Sequence, residues 1–245
     1  MPRADTKRAA KARAKPPARS PAAAPGKDAG LPANLRDKAY RAFTRRLLSQ
    51  QLKPGQFISQ RELVEITGFP LGAIRELVPR LEAEGLIRTI PQRGMQIAQV
   101  DLSLIQQAFQ FRLFIEREAI ALFTAAAPDD VLAELRGAHE RVLARASRGE
   151  IDADLIDEAQ RTDWSFHDRI VDSLNNAIIS NSYRVNSIKI RLIRQSQTRL
   201  ARDLVVPVMQ DHMAVLDALD ARDADKAVAA LTKHIESARL RALGL

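Results

Sequence analysis

The feature that most restricts the fold is a succession of helical patterns that begins at Asp101 and continues to the C-terminus. Apolar residues recur there at three- and four-residue spacing, which is typical of amphipathic helices, and no alternating strand pattern interrupts them. Pro, Gly and Asn residues separate the segments. Helices of this length, joined by short turns, predict an antiparallel bundle. The six predicted helices span residues 101–126, 129–148, 152–175, 177–200, 205–221 and 223–243.

Residues 34–100 carry a different order of elements. An amphipathic helix, LRDKAYRAFTRRLLSQQ, is followed by a break and by a short helix that Ser59 and Glu62 can cap reciprocally. A third helix is predicted between Pro70 and Gly85, and two β-type runs then flank a Pro-Gln-Arg-Gly turn. This order is typical of a winged helix-turn-helix, whose third helix enters the major groove of DNA. Five arginines lie on the elements expected to face DNA: Arg61, Arg75, Arg80, Arg88 and Arg93.

Composition excludes several other classes of protein. The 245 residues suit two modest domains, and the absence of cysteine excludes disulfides, thiolate zinc sites and a cysteine nucleophile. No apolar run approaches the roughly 18 residues that a membrane helix needs, and no apolar segment follows the basic N-terminal residues as in a secretory signal. We therefore expect a mainly α, cytoplasmic protein without membrane association.

The first 33 residues are predicted to be a disordered basic tail. Residues 1–30 hold eight Lys or Arg against two Asp, so this segment supplies six of the eight net positive charges. It has no large apolar side chain before Leu31 and cannot bury enough surface to fold. Such a tail could lie along DNA phosphates. A solvated leader without a specific role and an organelle transit peptide are the alternatives.

The histidines of the C-terminal region form a second pattern. His167, His212 and His234 fall on the apolar sides of three predicted helices, and Asp163 precedes His167 by one turn. Three imidazoles and a carboxylate are suitable ligands for a first-row divalent metal, and bundles build such sites from facing helices. The alternative is that these are ordinary buried histidines with satisfied hydrogen bonds. His139 has no carboxylate one turn before it and is interpreted as a structural residue.

Together these fragments resemble a GntR-family transcriptional regulator of the FadR subgroup with an FCD-type effector domain. The resemblance covers about residues 34–243. It is carried by LKPGQFI, QRELVEITGF, IRELVPRLEAEGLI and QRG in the first domain, and by FRLFIEREAIALFTAA, DWSFH and DHMAVLDALDARDADKAVAALTKHI in the second. The domains it implies are a winged helix-turn-helix over residues 34–100 and a helical effector domain over residues 101–245.

The resemblance also implies functional residues. It assigns Asp163, His167, His212 and His234 to a divalent metal, with zinc preferred and nickel or manganese as alternatives, and it leaves open positions for an organic acid. Arg112 is expected to face the same cavity. In the first domain, the resemblance points to DNA contacts by Arg61, Arg75, Arg93 and Gly94. The implied partners are double-stranded operator DNA, a small carboxylate effector and a second copy of the chain.

Two departures from the family pattern affect DNA recognition. Pro70 and Leu71 stand where the family usually has Ser or Thr followed by Arg, and a leucine cannot read guanine as an arginine can. The operator sequence therefore does not follow from the resemblance. Pro79 lies inside the third helix, where a missing N–H should kink it.

The residues favour a DNA-binding regulator that responds to an acid bound at a metal, and we expect no catalytic residue. A metalloenzyme is an alternative, because a metal with open positions can activate water. An architectural DNA-binding protein that depends on the basic tail is another. Catalytic turnover of a substrate would indicate a metalloenzyme. Sequence-independent DNA binding without an effector would indicate an architectural protein.

Overall fold

The computed structural model describes residues 33–197 and 202–245. The predicted disordered tail covers residues 1–33. All of it lies outside the described ranges except Ala33, which begins the first helix. Among the described residues, no helix is long and apolar enough to cross a membrane.

The first part of the chain, which we call the head, contains three helices and three short strands. Ser59 caps the second helix: its hydroxyl accepts a hydrogen bond from the Glu62 backbone at 3.2 Å, and the Glu62 carboxylate accepts one from the Ser59 backbone at 2.7 Å. Gly68, with φ of 76°, ends this helix in the left-handed conformation that glycine tolerates. The elements are α1 (Ala33–Leu48), β1 (Phe57–Ile58), α2 (Gln60–Thr67), α3 (Leu71–Ala83), β2 (Ile87–Ile90) and β3 (Gly94–Ile97).

The strands form an antiparallel sheet in the order β1-β3-β2. The predicted hairpin is β2 and β3, but the sequence did not indicate β1, which pairs Ile58 with Met95. Gly94 has φ of 85°, and a Cβ there would lie 3.1 Å from the Ile58 carbonyl oxygen. Glycine is thus required at the tip of the wing by backbone conformation and by the close approach of β1. Helix α3 continues past Pro79 to Ala83.

The remaining described residues form the helical bundle that the sequence predicts. Asp101, Asp152 and Asp223 each cap a helix by accepting a hydrogen bond from the backbone N–H three residues later. The mainly α fold class, with a winged head and a bundle of six helices, is confirmed for the described residues. The helices are α4 (Leu102–Ala126), α5 (Asp129–Ser147), α6 (Ala153–Asp172), α7 (Ala177–Gln197), α8 (Val205–Asp220) and α9 (Ala224–Ala242).

Helix α7 contributes to two hydrophobic cores. Its Leu192, which is 1% exposed, belongs to the core of the head together with Phe43 and Leu47 of α1. Its Tyr183 and Ile193 belong to the main core of the bundle. The two domains are therefore packed together through one helix.

Candidate metal centre and DNA-reading surface

The structure brings the four predicted metal ligands together inside the bundle. Asp163 and His167 come from α6, His212 from α8 and His234 from α9, and all four are at most 2% exposed. One ligand atom from each lies within 4.8 Å of the others. The Nε2 atoms of the three histidines lie 3.8, 3.5 and 3.9 Å from Asp163 Oδ1, respectively. A first-row divalent cation has space to be shared by these four atoms after small side-chain movements.

Helical spacing and apolar packing hold these side chains in place. Asp163 and His167 are one turn apart on α6 and therefore lie on one face. Phe166, fully buried between them, stacks on the His212 ring with centroids 4.6 Å apart. The buried Phe166 ring therefore limits the rotation of the His212 imidazole.

The outer nitrogen of each histidine faces a different group. His139 Nδ1 lies 2.7 Å from the Leu135 carbonyl, which can only accept, so this nitrogen carries the proton. His139 Nε2 is then the acceptor for His212 Nδ1 at 3.0 Å. His167 Nδ1 donates to Glu116 Oε2 at 2.5 Å. In both His167 and His212, this arrangement leaves a bare lone pair on Nε2, the form that binds a metal.

His234 completes the set less tightly. Its Nδ1 lies 3.5 Å from Asp211 Oδ2, a longer contact than those of the other two rings. Its Nε2 lies 3.1 Å from His212 Nε2. Since His212 Nε2 offers only a lone pair, this contact is a hydrogen bond when His234 Nε2 carries the proton, and a cation can take the place of that proton.

Unpaired polar atoms at the centre indicate that the residues fit a cation. Asp163 Oδ1 and His167 Nε2 are buried and have no hydrogen-bond partner among residues 33–197 and 202–245. Buried polar atoms without partners are rare, and each calls for an explanation such as an ion. A carboxylate oxygen beside three imidazole nitrogens is a donor set suited to zinc, nickel or manganese.

A buried charged group supports the site from α4. Glu116 accepts hydrogen bonds from Arg112 Nε and Tyr183 Oη, both at 2.6 Å, as well as from His167. Burial acts to raise the pKa of Glu116, but Arg112 and His167 outweigh it and lower this pKa to about 2. Burial and then Arg112 lower the pKa of His167 to about 4, so the ring is neutral at pH 7. Sequence reasoning missed both Glu116 and Tyr183.

Arg112 lies beside the site, where it is held by Glu116 and only 4% exposed. It lines a cavity of about 20 Å³ together with Trp164, His167 and Tyr183. This volume accommodates about one water molecule. The organic acid expected from the sequence therefore requires movement of the surrounding side chains.

Asp163 uses its second oxygen differently. Oδ2 forms a buried ion pair with Arg194 of α7 and accepts a hydrogen bond from Gln160 Nε2 at 3.3 Å. Burial acts to raise the pKa of Asp163, but Arg194 and the histidines outweigh it and keep this pKa below its usual range. Arg194 was not predicted, because nothing in its local sequence distinguishes it from other arginines.

The predicted DNA-contacting residues lie on the surface of the head. Arg61 on α2, Arg75 on α3 and Arg93 at the tip of the wing are exposed. Arg80, which was grouped with them, has other partners. It pairs with Asp37 at 3.1 Å and Glu84 at 3.0 Å, and its guanidinium lies 3.9 Å from the centre of the Tyr40 ring. These contacts tie Arg80 to α1 and to the C-terminal end of α3.

A winged head packed against a helical domain is an architecture typical of bacterial transcriptional regulators. Residues 35–97 match the family described as bacterial regulatory proteins, gntR family, and residues 107–237 match the FCD domain. The chain belongs to the GntR family and carries an FCD domain.

Relatives named as transcriptional regulators agree with this assignment. The Nta operon transcriptional regulator of Aminobacter aminovorans is 27% identical over 193 residues, which are 77% of this chain and 85% of that protein. LgoR, a probable HTH-type transcriptional regulator of Escherichia coli, is 24% identical over 198 residues, 81% of this chain and 64% of that protein. These similarities place the chain among transcriptional regulators.

Solved structures share the fold. A GntR transcriptional regulator from Rhodococcus sp. RHA1 has a TM-score of 0.68 at 18% identity and covers 87% of this chain and 99% of its own. E. coli McbR/YncC has a TM-score of 0.65 at 19% identity, covering 83% of this chain and 94% of its own. A metal-free FCD domain aligns with 60% of this chain and 96% of its own, at 17% identity and a TM-score of 0.50.

Proposed function

We propose that this regulator binds operator DNA as a dimer and that a small organic or sugar acid, bound at a divalent metal in the bundle, changes its affinity for DNA. The observation that carries the proposal is the convergence of three imidazole Nε2 atoms on the unpaired Oδ1 of Asp163. The proposal assigns the metal to Asp163, His167, His212 and His234, with zinc preferred over nickel or manganese.

The charge of this ligand set favours an anionic effector. One carboxylate and three neutral imidazoles leave a divalent ion with a net charge of about plus one, and an anion at its open positions is stabilised. When bound, the metal supplies a Lewis acid for a carboxylate oxygen. Arg112 can add a two-point hydrogen bond to the same acid if its contact with Glu116 loosens.

A route from this site to the head runs along α7. Tyr183 of α7 donates to Glu116, which holds both Arg112 and His167. Nine residues later on the same helix, Leu192 packs in the core of the head. An acid that enlarges the 20 Å³ cavity must displace these side chains, and α7 then shifts against the head. Coupling between two such sites is typically worth about 1–3 kcal/mol.

The head is proposed to read DNA through α3 and the wing. Arg75 projects from α3, Arg61 from α2 and Arg93 from the wing, while Gly94 permits the tight turn that presents Arg93. Two heads related by a twofold axis fit a pseudo-palindromic operator. The proposed boundaries are residues 34–100 for the head and residues 101–245 for the effector domain.

Binding to the DNA upstream of the chain's own gene tests the proposal. We expect Arg75→Ala to weaken specific binding by about 1–3 kcal/mol, measured by fluorescence anisotropy with labelled DNA. Arg117→Ala, which removes the same charge from the exposed surface of α4, should have no such effect. Equal binding by the Arg75 variant and the parent would contradict the placement of the DNA-reading surface.

The effector part is tested by screening organic and sugar acids in the same assay. An acid that changes operator affinity should lose its effect when a chelator has removed the metal. If the acid acts equally well on metal-free protein and on Arg112→Ala, the metal has only a structural role.

A further inference from the structure

A second cavity lies where the head meets the bundle. It has a volume of about 270 Å³ and is bordered by residues 48–50 at the end of α1, by α6 and by α7. We call it the junction cavity. Its volume lies just below the range of about 300–1,000 Å³ that is typical of small-molecule sites, so it suits a small ligand.

The charged side chains that border the junction cavity favour an anion. Arg191 and Arg194 of α7 line it, whereas Asp157 is the one carboxylate among its described lining residues. The Arg191 guanidinium lies 4.2 Å from the centre of the Trp164 ring, which fixes its plane. A guanidinium held against a ring, with a second arginine one helical turn away, is a suitable receptor for a carboxylate, which can bind two N–H groups at once.

Arg191 also has unused hydrogen-bonding capacity. Its nearest carboxylate, Asp168 Oδ2, is 3.5 Å from Nη2. Neither Arg191 Nε nor Trp164 Nε1 has a hydrogen-bond partner within the described part of the chain, although both are buried. Both side chains line the junction cavity and also the 20 Å³ cavity beside His167, so the wall between the two cavities holds two donors without acceptors. Buried donors without partners indicate a missing acceptor.

The junction cavity and the metal centre share one carboxylate. Asp163 Oδ1 faces the three histidines, whereas Asp163 Oδ2 is bound by Arg194 and Gln160, both of which line the junction cavity. An anion that attracts Arg194 weakens the pair between Arg194 and Asp163. The Asp163 carboxylate then offers more of its negative charge to a cation among the histidines.

We infer that the junction cavity is a binding site for a small carboxylate anion, held by Arg191 and Arg194 and coupled to the metal centre through Asp163. This site is distinct from the open positions on the metal, although Trp164 and Arg191 border both it and the 20 Å³ cavity beside the metal centre. It touches the head directly through residues 48–50. The coupling is positive: metal favours the anion and the anion favours metal, by the same factor.

The chain's only tryptophan provides the measurement, because Trp164 lines the junction cavity. Malonate is titrated into the metal-loaded full chain while tryptophan emission and binding heat are recorded. We expect saturable binding that changes the emission of Trp164. Removing the metal with a chelator should weaken malonate binding about fivefold or more, within the usual range of coupling between sites.

Four variants identify where malonate binds. Arg191→Gln and Arg194→Gln should each weaken it at least tenfold, and Arg191→Lys should fall between Arg191→Gln and the parent, because lysine keeps the charge but not the paired donors. Arg184→Gln, on the same helix and outside the junction cavity, is the matched control and should bind as the parent does.

His234→Ala separates this inference from the proposed function. It removes a metal ligand and leaves the junction cavity intact, so it should bind malonate as the chelated parent does. If malonate binding is abolished in His234→Ala but unchanged in Arg191→Gln and Arg194→Gln, the anion binds at the metal and the inference is overturned. An absence of saturable malonate binding to the parent would overturn it as well.

Discussion

The cores of the head and the bundle differ in what they bury. Within the described ranges, Thr67 is the one polar side chain buried in the head, and its hydroxyl is satisfied by the Leu63 carbonyl. The bundle buries ten: Arg112, Glu116, Thr124, His139, Asp163, His167, Asn186, Arg194, His212 and His234. An apolar core stabilises a fold without further conditions, whereas buried charges require every partner to be present. The stability of the bundle therefore depends on the partners of its buried charges, whereas the core of the head has no such requirement.

The largest expected effect concerns the metal itself. Protein purified without an affinity tag should contain about one divalent metal per chain, as a single four-ligand site implies. His212→Ala and His234→Ala should lose it, as measured by elemental analysis, and should no longer be stabilised against heat by added metal. Lys233→Ala, exposed and adjacent to His234, is the control that should keep it. Full metal content in both histidine variants would make the assignment wrong.

Removing only one partner of a buried ion pair in the bundle should lower the free energy of unfolding. Glu116→Leu leaves Arg112 buried without its carboxylate, and we expect the free energy of unfolding to fall by about 3–5 kcal/mol. Adding Arg112→Met should restore part of this loss, although Tyr183 and His167 still lack an acceptor. Denaturant unfolding of both variants provides the measurement.

The head supplies the comparison for that experiment. Phe43→Ala should lower the free energy of unfolding by a similar 3–5 kcal/mol through lost packing, while metal content stays unchanged. If the Glu116→Leu variant and the double variant were equally unstable, the buried pair would not explain the loss.

A smaller effect is expected at His139. Its Nε2 accepts the proton of His212 Nδ1, so His139→Ala should weaken metal affinity by about 10–100-fold rather than abolish it. Competition with a chelator of known affinity measures this change. Val142→Ala creates a cavity on the same helix without touching a histidine hydrogen bond, and its metal affinity should match that of the parent. If both variants lose the same metal affinity, His139 contributes only through packing.

The smallest expected effect is confined to the head. Ser59→Ala removes the cap of α2 and should lower the free energy of unfolding by about 1 kcal/mol, with unchanged metal content. Ser59→Asp retains an acceptor for the Glu62 N–H and should be close to the parent. A loss in Ser59→Asp as large as that in Ser59→Ala would show that the hydroxyl acts through some other contact.

The sequence predicted what local spacing determines. The Asp163–His167 pair follows from the helical repeat, and His212 and His234 follow from the apolar sides of their own helices. The partners of these residues could not be predicted in the same way. Glu116 is 51 residues from His167, His139 is 73 from His212, and Arg194 is 31 from Asp163. Such pairs are set by how helices pack, which periodicity within one helix does not encode.

The contact between His139 and His212 could not be predicted from the local sequence of His139 either. The absence of a carboxylate one turn before it suggested a purely structural residue. In the structure its ring closes a chain of hydrogen bonds from the Leu135 carbonyl to His212. A residue can therefore hydrogen-bond to a side chain of the candidate site without any signature of that contact in its own segment.

The sharing of α7 by two cores has a consequence for how such regulators diversify. A head exchanged for that of another regulator would leave Leu192 and Ile188 facing a surface that had not been selected to receive them. Recombination at the boundary near residue 100 would then yield hybrids that need compensating changes almost a hundred residues downstream.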